Sequence, residues 1–262
     1  MKTIMKSLGL TWALTSGLAL HAQIISWNVD SYGTISGANM AGAVAAVNWN
    51  DSWLENGNSI NAYGSPTAVN GLLDNSGTAT SLNMAYQAWG FYQIQNSAPG
   101  QDADSSYNRN LLNGYLNAGP ASWGPPVTNS TIALSQIPYA QYTLYVYFSS
   151  DTAGRTGNVT DGTTTYDFTT LGPAEFNGTS AVFTQTTDTA GNNPGADYAV
   201  FSGETANSLT ITCNALSGND QWLGIAGFQI VAVPEPTVMA LAGIGLALLG
   251  LRRQVRSSGP DR

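Results

Sequence analysis

From Thr131 to Val231 the chain changes face at every residue, in short runs that turn residues cut apart. In Tyr142–Phe148, Leu144, Val146 and Phe148 point one way while Tyr145 and Tyr147 point the other. A period of two is the spacing of a strand and cannot be laid on one helix face. The same pattern predicts strands at Ala181–Thr187, Tyr198–Ser202, Leu209–Cys213 and Ile225–Val231. In the last of these, Phe228 and Ile230 share a face and Gln229 opposes them. Asp161-Gly162 predicts a hairpin turn between Gly157–Thr160 and Thr163–Phe168. Strands at this spacing, joined by polar turns, predict an all-β fold, an antiparallel β-sandwich or jelly roll.

The first half is less regular. Ile24–Val29 reads as a first strand, and Leu82–Ile94 holds one or two more. Tyr107–Leu116 reads as one short helix, with Leu111, Leu112, Tyr115 and Leu116 at helical spacing. Nothing between 23 and 233 reads as a linker or a repeat, so that span is expected to be one domain.

Composition narrows the function classes. Charged residues are 9% of the 262-residue chain, so Asn, Ser, Thr, Gln and Gly must make its surface polar. Between Gln23 and Val233 fourteen acidic residues face two arginines, Arg109 and Arg155, for a formal charge of −12. Such a body repels phosphate backbones, which argues against nucleic acid as a partner. The single histidine, His21, precedes this span. The body therefore has no residue for a Ser-His-Asp or Cys-His relay or a His-ligated metal. The single cysteine, Cys213, excludes an intramolecular disulfide; it alternates with Thr210 and Thr212 and so is expected on the apolar face of a strand.

The two ends differ from the body. Residues 1–22 read as a secretory signal, with Lys2 and Lys6, an apolar stretch from Leu8 to Leu20, and Ala22 before a cut ahead of Gln23. At the other end, Val233-Pro234-Glu235-Pro236 leads into an apolar run, about 237–251, closed by Arg252 and Arg253. The prolines hold the segment extended, the run is satisfied in lipid only as a helix, and the arginines stop transfer. This order of parts resembles the PEP-CTERM sorting signal of Gram-negative bacteria. The resemblance implies a membrane-anchored tail (234–262) handled by an exosortase-type sorting enzyme. It further implies an exported protein at the cell surface or in the extracellular exopolysaccharide matrix.

A second resemblance covers the body. AGAVAAVNWND (41–51), LLDNSGTAT (72–80), LLNGYL (111–116) and YTLYVYF (142–148) resemble a recurrent extracellular module of planctomycete and verrucomicrobial proteins. The late strands, ending in LGIAGFQIV (223–231), are similar to galactose-binding-like jelly rolls, a fold that often binds glycans.

Two constellations could bind ligands. Trp49, Asn50, Asp51 and Trp53 combine indole faces with hydrogen-bonding side chains, the pairing a sugar ring needs. Asp102 with Asp104, and Asp188 with Asp197, place hard oxygen ligands in polar loops, as structural calcium requires. The alternative reading of the tryptophans is core, and that of the acidic loops is solvation. No pair of carboxylates is singled out by spacing for glycoside hydrolysis. The chain is thus expected to be a non-catalytic surface or matrix protein with glycan binding; a carbohydrate-active hydrolase and a purely structural envelope protein are the alternatives.

Overall fold

The computed structural model describes residues 22–29, 35, 37–51, 67–94, 100–118, 129–172, 180–216 and 222–234. The predicted signal and the predicted 237–251 helix lie outside them. Among the described residues no helix is long and apolar enough to cross a membrane.

The described chain is almost entirely strand. In order it forms β1 (Ile24–Asn28), β2 (Asn50–Asp51), β3 (Thr67–Asn70), β4 (Asn83–Gln87) and β5 (Gly90–Gln93). The short helix α1 (Asn108–Leu112) follows, then β6 (Gly114–Ala118), β7 (Asn129–Ser135), β8 (Tyr142–Ser150), β9 (Thr156–Thr160) and β10 (Thr165–Thr170). The last five are β11 (Gln185–Thr186), β12 (Gly195–Ala196), β13 (Tyr198–Glu204), β14 (Ser208–Ala215) and β15 (Leu223–Ala232). An eight-stranded sheet runs β11-β13-β8-β15-β1-β2, with β6 also on β15 and β5 on β6; a seven-stranded sheet runs β12-β10-β9-β14-β7-β4-β3. Both are mixed. The long strands pair antiparallel, and the three parallel pairings involve the two-residue strands β2, β11 and β12.

The alternation explains how the sheets meet. Ile25, Trp27, Leu144, Val146, Phe148, Phe228 and Ile230 of the first sheet join Met84, Tyr86, Ile132, Leu134, Val159, Phe168, Ile211 and Cys213 of the second in one buried core. Aromatic rings cross the interface: Trp27 lies 5.3 Å from Tyr86, and Phe148 stacks on Phe168 at 3.6 Å. Cys213 is fully buried here, and burial pushes its thiol up to about 12.

The opposite face of the first sheet is covered as well. Ile35, Ala41, Trp49, Leu111, Leu112, Tyr115, Tyr147 and Ala226 belong to a second, smaller core. Residues 41–46 are pinned to this face by one buried amide. Gln229 Oε1 accepts from the Tyr147 hydroxyl at 2.6 Å, while its Nε2 donates to Val44 O at 2.8 Å and to Ser26 Oγ at 3.2 Å. The Tyr147 hydroxyl in turn accepts from the Ala43 N–H at 2.7 Å. Gly42 lets the loop come this close: its φ is +100°, and a Cβ there would sit 2.5 Å from Gln229 Oε1.

Two expectations are corrected. The helix stops at Leu112, and Tyr115 and Leu116 belong to β6, one in the outer core and one in the main core. Gly114 opens this strand, pairing with Gln93, and helical spacing in the sequence had masked a two-faced strand. In Ala181–Thr187 only Gln185–Thr186 pairs as strand. Ala181 and Phe183 instead pack on the outer core.

Gly42→Ala should lower the free energy of unfolding by about 2 kcal/mol or more, since it combines backbone strain with a clash against a buried hydrogen-bonded side chain. Gly191→Ala is the control: its φ is +78° with nothing within 4 Å of a Cβ, so it should cost only about 1 kcal/mol of strain. Urea midpoints of the two variants measure the difference.

Candidate functional site

Asn48–Asp51 fold inward. Asn48 takes a left-handed φ of 55° and donates from Nδ2 to Asn75 O at 3.0 Å. That turn swings Trp49 into the outer core, where it is 3% exposed, donates from its indole to Ala46 O at 3.0 Å and lies 6.4 Å from the Tyr147 ring. The Asn50 amide stands in for a strand: its Nδ2 donates to Ser26 O at 2.8 Å and Leu73 O at 2.9 Å, and its Oδ1 accepts from Leu73 N at 2.9 Å. Asp51 is fully buried beside Asn28. Trp53 lies outside the described residues.

A neighbouring loop completes the arrangement. Asn75 Oδ1 accepts from the Ile24 N–H at 3.1 Å, and Asn75 N donates to Ile24 O at 2.7 Å. Asp74 accepts from Ser76 and Thr78 and so folds the turn. Desolvation alone would raise the Asp74 carboxyl, but these bonds outweigh it and hold it below its ordinary value. The NWND and LLDNSGTAT stretches thus form one clasp along the outer edge of β1, where side-chain amides occupy groups that an open edge would expose. Three of the four residues expected to bind sugar are committed to this clasp, and Trp49 presents no face to a sugar ring.

The oxygen-rich loops also have internal partners. Asp102 forms an ion pair with Arg109 through Nε, and the same guanidinium donates to Gln101 O at 3.0 Å. A cation, supplied by the chain, already sits at Asp102. Asp104 is held below its ordinary value first by the Ser106 hydroxyl at 2.6 Å and then by the Ser106 N–H. Asp188 folds its own loop, accepting from Ala190 N, Asn192 Nδ2 and Asn193 N. Asp197 is 7% exposed, with its Oδ2 accepting from Thr184 N at 3.0 Å; burial pushes it up to about 6. Among the described residues no group of three or more His, Cys, Asp or Glu is gathered to hold a metal ion.

A half-buried aromatic cluster borders the outer core. On the outer face of the first sheet, Tyr145 and Tyr198 stack with centroids 6.4 Å apart and planes at 19°, and Phe183 meets Tyr198 edge-on at 6.2 Å; all three are half-buried. Alternation alone placed Tyr145 on this face. Its partner across the sheet could not be read without the β8–β13 pairing.

The tail leaves straight from the sheet. Ala232 N donates to Gln23 O and Val233 N to Gln141 O, both at 2.9 Å, and Pro234 is exposed. Residues 232–254 match the PEP-CTERM protein-sorting motif. Glu235, Pro236, Arg252 and Arg253 fall within the match but outside the described residues. No curated protein and no solved structure matches the chain, and the likeness to galactose-binding-like modules gains no relative from these comparisons.

Trp49→Ala should destabilise the body by about 3–5 kcal/mol, the cost of emptying a core site of this size; an unchanged melting temperature would show that the indole is not core. Asp197 gives a pH signature. Its folded value lies above its unfolded one, so its contribution is full below about pH 4 and is lost as pH rises through about 6. Asp197→Asn should therefore gain on the wild type between pH 4 and 7, by at most about 3 kcal/mol. A difference in melting temperature that stays constant across that range would contradict it.

Proposed function

We propose that this chain is an exported protein, brought to the cell surface of a Gram-negative-type bacterium by its tail and processed there by an exosortase-type enzyme. Residues 1–22 serve as its export signal. The carrying observation is the PEP-CTERM match at 232–254, which begins at the last residue of β15. The sorting element is a direct continuation of the folded domain.

The body, in this reading, is a non-catalytic β-sandwich. What supports this is how four of the described acidic side chains are used: Asp74, Asp102, Asp104 and Asp188 each close a turn or pair with arginine. Glycan binding is the finer part of the proposal, and the stacked Tyr145 and Tyr198 support it more than Trp49 does. Retention of the body on exopolysaccharide measures that part.

Deletion of 234–262 in the native host should move the body from the cell-surface fraction to the medium. The fold should survive, because β15 ends at Ala232. A truncated protein that fractionates with the surface as fully as the whole chain would overturn the sorting role.

A further inference from the structure

The mature N-terminus and the sorting tail lie side by side. Ile24 pairs with Val231, and Ala232 N reaches Gln23 O. At this end the turns are bonded to one another: Ser81 Oγ donates to Gln136 O, Ile137 N to Asn207 O, the Tyr142 hydroxyl to Ala206 O, and Val233 N to Gln141 O. Pro138, Ala140, Ala206 and Val233 are exposed there. Three acidic side chains act near this end: Asp74 on Tyr139, and Asp161 and Glu204 on Tyr142; burial and then Asp161 hold Glu204 above its ordinary value. Neither described arginine lies at this end; Arg155 is at the opposite one, bonded to Asp151 beyond the far end of β8.

Tether length turns this into an orientation. Val233 is still tied to the sheet, and the apolar run starts at Thr237. Four residues span at most about 14 Å even fully extended. While the tail is in a bilayer, the body has no slack with which to tumble. We infer that the end formed by residues 136–141, 205–207 and 232–234 is a lipid-facing surface, seated on the headgroups, and that the 151–155 end points outward. Its own side chains carry no charge, polar Gln136, Gln141, Thr205 and Asn207 alternating with apolar Pro138, Ala140, Ala206 and Val233, a mix that suits the headgroups of zwitterionic lipid. From Tyr142 to Ser150 β8 rises roughly 26 Å, so the outward end is held clear of the membrane. This inference rests on the tail acting as a membrane segment.

The chain's single native thiol, Cys213, is fully buried and so leaves little labelling background. Ala140→Cys, Ala206→Cys and Ala153→Cys each introduce one exposed thiol for a fluorophore. The labelled chains are reconstituted in phosphatidylcholine vesicles doped with a headgroup-nitroxide lipid, and matching melting temperatures confirm the fold. Labels at 140 and 206 should lose most of their emission, while the label at 153 keeps its own. Flotation with the vesicles but equal quenching at all three positions, or stronger quenching at 153, overturns the orientation alone. Failure to float overturns the membrane reading of the tail and the orientation with it.

Discussion

The arrangement depends on one strand. β15 is buried without a break from Leu223 to Ile230 and hydrogen-bonds along both edges. A strand in that position can leave no backbone group unpaired without a cost of a few kcal/mol. One edge is taken over its whole length by β8; the other is divided, β6 pairing with Leu223–Ile225 and β1 with Gly227–Val231. At the break the register shifts, and Val29 N takes the Ala226 carbonyl that neither strand reaches. Gly227 is required at this junction, since a Cβ there would sit 2.5 Å from Trp27 O and 3.0 Å from Leu111. Both cores, one on each face, are organised by this strand.

A chain with so few charges needs another polar adhesive, and it uses side-chain amides. An amide carries a donor and an acceptor together and can replace a peptide group. Asn50 and Asn75 do so along β1, and Gln229 does so beneath the 41–46 loop. Neutral contacts of this kind are insensitive to the screening that weakens surface ion pairs. The long-range ties between the first half of the chain and the sheet should therefore hold equally in dilute and saline surroundings.

Much of the second half was legible in the sequence because alternation, the Asp161-Gly162 turn and strand length act locally. β8, the β9–β10 hairpin, β13, β14 and β15 emerge near the expected bounds. The tail was legible too, because proline, an apolar run and arginines have meaning in that order without a fold around them. The first half was less so. Tyr115 and Leu116 satisfied a helical spacing that the β5–β6 pairing overrides, and no local signal announces such a partner. The Trp49–Trp53 stretch resembled a sugar platform because composition does not report direction. What settles Trp49 is the left-handed turn at Asn48 and a tyrosine nearly a hundred positions away. Asp102 was read as a cation ligand for a sound chemical reason, but its cation is Arg109, seven residues on.

The exit of the tail from β15 also determines how this molecule meets mechanical force. A pull applied through the tail acts on β15 along its own axis. Its hydrogen bonds to β8 and β1 lie across that direction, so they resist together in shear and cannot be opened one by one like a zipper. Extension of the body under such a load requires the central sheet to yield as a unit, at a rate set by its unfolding barrier.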